Sequence, residues 1–160
     1  MVAINSAALP PRATETIQVG KDWLLAQLHK GASCPLCGQR AQLYRRKINA
    51  GMAHSMIRMY RSVGTGWCHV PTVVGAKSRE EGKCAYWGLL EEQSGKGLHG
   101  GRAGYWRLTE RGEAFVLNQI QVPTYALVYN GRVMGFEGAM MSIKDALGTK
   151  FDYRELMDGV

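Results

Sequence analysis

No stretch of the chain approaches the roughly 20 consecutive apolar residues that a membrane helix requires. The start has no basic segment followed by an apolar run, so the expectation is a chain without a secretory leader. Internal repeats and low-complexity tracts are also missing, which argues against solenoid and disordered classes. No Gly-x-Ser-x-Gly, no phosphate loop ending in Lys-Ser/Thr and no His-Glu-x-x-His occurs. Residues 94–104 are glycine-rich, but a strand pattern follows them instead of the helix a phosphate cradle needs. The reading is therefore of a protein that is not an enzyme. Cysteine is sparse, at four residues, and without a leader this fits a reducing cytoplasm, where thiols bind metal, react or pack.

What is present is globular: 160 residues, 46% hydrophobic and 21% charged, enough for one cored domain with an appendage. The net charge of +7 is unevenly placed. Residues 40–111 hold thirteen Lys/Arg against five acids, whereas residues 112–160 hold four against six. A basic block followed by an acidic one suggests a polyanion-binding face, with the remainder serving packing or association.

Residues 1–18, with Pro10-Pro11, read as a flexible tail. Residues 19–40 read as a helix over 21–30, stopped by Gly31, and then a tight Cys34-Pro-Leu-Cys37-Gly38 turn. The clearest helix is expected over 45–61. Ile48, Met52, Met56, Met59, Ala53, Ile57 and Tyr60 share one face, and Lys47, His54, Arg58 and Arg61 lie opposite. Pro71 opens a short helix or turn. Ser78 and Glu81 form a capping box that starts a helix to about Glu92. Residues 105–108 read as a strand and Thr109 caps a helix to about Asn118. Beyond residue 121, Asn130-Gly131 marks a β-hairpin, and Ser142 and Asp152 cap two short helices. These C-terminal elements must pack on the core or on a partner.

The order helix, short helix, helix, Gly-rich basic hairpin, strand, helix over 41–120 is that of a winged helix-turn-helix. Gly104-Tyr105-Trp106-Arg107-Leu108-Thr109-Glu110-Arg111-Gly112 resembles the return strand of the wing in MarR/PadR-type regulators, and Ala85 to Glu91 resembles the end of a recognition helix. The expected class is mainly α with small β (α+β). The resemblance implies double-stranded DNA binding, sequence-specific or general, in transcriptional regulation. Arg79, Lys83 and Tyr86 would share the groove-facing side, and small residues at Cys84, Ala85 and Gly88 would let the helix approach its neighbour. Candidate DNA contacts are Arg45, Arg46, Lys77, Ser78, Arg79, Lys83, Lys96 and Arg102, the last two on the wing. A homodimer would read two half-sites. Glu80 and Glu81 count against DNA, so a second reading is an adaptor docking on an acidic protein partner. A third is a metal-dependent nuclease, for which no catalytic histidine can be placed.

Cys34-x-x-Cys37 is half of a zinc knuckle, and zinc takes four ligands. The remaining candidates are His54, Cys68, His69 and Cys84, with His69 the preferred third ligand for structural zinc. His54 reads as solvated and Cys84 as a core residue. A redox role would need a βαβ setting that is missing. The compact basic design with one knuckle also resembles small uncharacterised proteins of bacteria and their phages, which carry no assigned activity.

Overall fold

The structure, a computed structural model, describes residues 9–12, 14–75, 80–93 and 104–159. The class is mixed, with 40% helix and 26% strand in open sheets, so the strand share exceeds the small one expected. The chain divides into two compact units. One holds residues 1–45 and 127–134, the other residues 46–126 and 135–160. The sequence reading set boundaries near 18, 40 and 120; in this division the far end of the hairpin, residues 127–134, groups with residues 1–45.

In the first unit, helix α1 (Ile17–Gln27) starts ahead of the expected 21 because Thr16 accepts the Val19 N–H at its hydroxyl, 3.3 Å away. It stops where the Gly31 N–H returns to the Gln27 carbonyl at 2.9 Å. Strands β1 (Ala32–Ser33) and β2 (Arg40–Ala41) pair antiparallel, Ala32 opposite Ala41 and Ser33 opposite Arg40, and so hold residues 34–39 as a turn. Leu24, Leu28 and Ala41 form the core, with Trp23, Leu43 and Tyr129 packed against it.

Strand β3 (Tyr44–Lys47) corrects the sequence reading, which placed residues 45–49 in a helix. Asn49 is the reason. Its backbone is extended and its side-chain oxygen accepts the Met52 N–H at 2.9 Å, so helix α2 (Ala50–Val63) begins one residue later. Ile48 is fully buried, but from the link between β3 and α2 and not from the helix.

In the second unit, α2 buries Met52, Ala53, Met56, Ile57 and Met59 along one stripe, as the periodicity predicts. Next come β4 (Cys68–His69), the short helix α3 (Val70–Val74), a 3-10 helix (Glu81–Trp87), β5 (Leu90–Glu92), β6 (Tyr105–Leu108) and α4 (Glu110–Val116). These three strands form a sheet in the order β4-β6-β5, all antiparallel, with Cys68 opposite Trp106 and Leu90 opposite Leu108.

Over the described part of the expected helix, residues 80–92, the chain forms a 3-10 segment and then strand β5 instead of an α-helix; Ser78 and Arg79 lie outside the described residues. Glu80 caps the 3-10 segment without a side-chain bond, and Gly88 ends it in the left-handed region at φ 71°. The Glu81 carboxylate turns inward and accepts from the Ser55 hydroxyl at 3.0 Å, while Ser78, the other half of the expected capping box, lies outside the described residues. Gly82 lies within the segment and Gly88 directly after it, and glycine is a poor α-helix former.

Strands β7 (Val122–Tyr129) and β8 (Arg132–Met141) meet at Asn130-Gly131, with φ of 49° and 72°, as the hairpin signal requires. The sheet order there is β3-β7-β8. Helix α5 (Ile143–Leu147) carries the capping box of Ser142 with Asp145, and α6 (Tyr153–Asp158) is capped by Asp152. Both helices pack on α2. The Arg61 guanidinium donates to the Leu156 carbonyl at 3.0 Å, and Tyr153 Oη donates to the Val116 carbonyl at 2.8 Å.

Candidate nucleic-acid interface and cysteine pair

The Leu108-Thr109-x-x-Gly112 element has a physical explanation in this sheet. Thr109 Oγ1 accepts the Gly112 N–H at 3.0 Å, capping α4, and donates to the Gly88 carbonyl at 2.5 Å. One hydroxyl therefore fastens the start of α4 to the end of the 3-10 helix. Gly112 is required by proximity: a Cβ there would lie 2.0 Å from the Leu89 carbonyl oxygen. The Arg111 guanidinium adds a bond to the Trp87 carbonyl at 3.0 Å. Trp87 is held at its far side by an N–H to the Pro123 carbonyl, 2.7 Å away.

Of the eight candidate DNA contacts, Lys77, Ser78, Arg79, Lys96 and Arg102 lie outside the described residues. Residues 94–103 connect Gln93 to Gly104, and the Gln93 N–H bonds to the Tyr105 carbonyl at 2.9 Å. Strands β5 and β6, which flank residues 94–103 in sequence, thus pair antiparallel, and those ten residues themselves lie outside the described residues. Arg45 and Arg46 stand on β3, not at the start of a helix, and both are exposed. Lys83 lies on the 3-10 segment, where its ammonium pairs with Glu80 at 2.6 Å. That contact holds the Glu80 carboxyl below the usual carboxylate range; the Asn49 amide and the Arg46 charge add to the effect.

Other middle-region cations have internal partners that sequence reading did not supply. The Arg58 guanidinium donates to the Val74 carbonyl at 3.2 Å, and Arg107 pairs with Glu91 while lying over the Trp67 ring at 4.5 Å. A cross-strand register signal would have found the second pair, since Glu91 is opposite Arg107.

The cysteines separate into two kinds. Cys84 is fully buried and Cys68 is 5% exposed, and burial pushes both thiols up from their usual range. Cys84 is the core residue expected. Cys34 and Cys37 sit on the β1–β2 turn, Cys37 exposed and Cys34 half-buried. The backbone N–H groups of Cys37 and Leu36 donate to Cys34 Sγ and hold this thiol below its usual range, with a bond from the Cys37 side chain adding to them. The turn is closed by Gly38 N–H to the Cys34 carbonyl at 2.9 Å and Cys34 N–H to the Gln39 carbonyl at 2.7 Å. This arrangement stabilises thiolate and suits a soft divalent metal.

Among the described residues no group of three or more Cys, His, Asp or Glu gathers to hold a metal. His69 Nδ1 is 2.7 Å from Thr72 Oγ1, and its ring leans on Tyr105 with centroids 5.1 Å apart. His54 was expected in solvent. Its ring instead stacks on Phe151 at 4.5 Å and 6°, because α6 and the turn before it cover that side of α2. Burial, with the Arg58 charge second, lowers the His54 pKa.

No family model, curated protein or solved structure matches this chain. No helix among the described residues is long and apolar enough to cross a membrane.

Proposed function

We propose that the chain is a double-stranded DNA-binding protein of the winged helix-turn-helix type, acting in transcriptional regulation. The observation that carries this reading is the sheet order β4-β6-β5 threaded through α2, α3, the 3-10 helix and α4. In a winged helix the first strand follows the first helix, and the wing's return strand sits between it and the strand leading into the wing. The strand order here supports that connectivity. The basic, glycine-rich sequence of residues 94–103 lies between β5 and β6, where a wing would stand, and in this reading its Lys96 and Arg102 contact phosphate. Ser78, Arg79 and Lys83 lead into and along the reading segment, Lys77 precedes them, and Arg45 and Arg46 add backbone contacts.

A gel-shift series on random duplex tests this reading. Replacing a base that neutralises a phosphate weakens binding to all sequences about equally. The Lys96→Ala/Arg102→Ala and Arg79→Ala/Lys83→Ala variants should each lose at least tenfold in affinity while remaining folded by circular dichroism. Full duplex affinity in both folded variants overturns the proposal.

One observation favours the adaptor reading. The reading segment is 3-10 and its Lys83 is already paired with Glu80, which reduces the positive field presented to a groove. If the wild-type chain fails to bind random duplex at low salt, docking on an acidic protein partner becomes the better account.

A further inference from the structure

The cysteine turn carries an inference independent of the nucleic-acid reading. Zinc is held by four ligands in structural sites, and the first unit supplies two thiols on one turn. Within the described residues nothing adds a third. Cys68 and Cys84 are buried in the second unit, where they pack. His69 is engaged by Thr72, and His54 by Phe151. The pair itself is accessible: Cys37 is exposed, and Leu36 between the thiols is 62% exposed, so a second copy meeting this turn would remove apolar surface from water. The surrounding unit buries only Leu24, Leu28, Ala41, Leu127 and Val128 among its described apolar residues, a small core of the kind that natural domains supplement with a metal staple.

We propose that Cys34 and Cys37 of two copies of this chain together form one tetrathiolate zinc site, which joins the copies through their β1–β2 turns and covers Leu36. The metal is Zn²⁺. On binding, the four thiols release their protons to solvent and four Zn–S bonds form, leaving a centre of net charge −2 with no change in oxidation state. Arg40 borders the same shallow cleft as both cysteines, where its charge offsets that of the centre.

The test uses the full chain, reduced and metal-free, titrated with Zn²⁺ and separately with Co²⁺ as a spectroscopic probe. The expected result is one metal per two chains, the intense thiolate-to-cobalt absorption of a four-sulfur site, and a doubling of mass in sedimentation that a chelator reverses. Cys37→Ser should abolish metal-dependent dimerisation. Because the position is exposed, its circular dichroism should match that of the metal-free wild type. His99→Ala and His69→Ala should bind metal as the wild type does. His99 lies outside the described residues, so its variant also tests a ligand set closed within one chain. One metal per monomer, metal binding abolished in either histidine variant, or no metal uptake by the reduced chain would each overturn the proposal.

Discussion

The two units differ sharply in how they are held. The larger buries Ile48, Met56, Ile57, Met59, Leu89, Phe115 and Ile143 completely. The smaller buries only Leu24, Leu28, Ala41, Leu127 and Val128 among its apolar side chains in the described residues. One unit is stabilised by apolar burial. The other adds to its few buried side chains the backbone bonds that close the cysteine turn. The contrast teaches where function can be sought: the large core holds the β4-β6-β5 sheet and its helices on many buried side chains, whereas the cysteine turn stands on a unit with few.

The comparison breaks first at Gly112. Gly112→Ala should cost about 3 kcal/mol or more, because the Leu89 backbone blocks the new methyl and cannot yield as a side chain would. Chemical denaturation measures it, and a loss under 1 kcal/mol, roughly that of an ordinary surface change, contradicts the close approach. Leu28→Ala should cost about 2–3 kcal/mol locally. Amide exchange should accelerate over residues 17–45 and stay slow in α2. Uniform acceleration would mean that the units open together. Thr109→Ala removes both the α4 cap and the bond to Gly88, for about 1–2 kcal/mol by denaturation.

The smallest effect is the pH response of His54. Its folded pKa is lowered, so the unfolded chain takes up the proton first as pH falls. The stability contributed by the neutral ring is complete above the ordinary histidine range near about 6.5 and is lost as pH falls through it. His54→Phe keeps a ring against Phe151 and removes this part. Its Tm should therefore fall less than the wild type's between about pH 7.5 and about pH 5.5. Identical slopes would assign the acid sensitivity elsewhere.

Much of the architecture was legible where local chemistry decides it. Asn130-Gly131, Thr109, Ser142 and Asp152 each satisfy backbone groups within four residues, so type and position could be read directly. The α2 stripe was equally plain. Residues 78–92 misled because Glu81 is drawn inward by Ser55, a contact between segments far apart in sequence. The start of α2 misled because Ile48 continues the apolar period while Asn49 ends it. Charge was read as surface excess, but Lys83, Arg107 and Arg58 find partners on other elements or in the turn before their own. The paired thiols followed from spacing alone; what completes their ligand set lies beyond the reach of spacing.

The salt dependence of duplex affinity tests the central claim most directly. For a random duplex titrated by anisotropy between about 50 and about 200 mM salt, log affinity should fall linearly with log salt, by about 0.9 per phosphate neutralised. Lys96→Ala/Arg102→Ala should make that slope shallower by about 2, one for each base removed. A wild-type affinity indifferent to salt, or a slope unchanged in the variant, would contradict DNA binding through the wing.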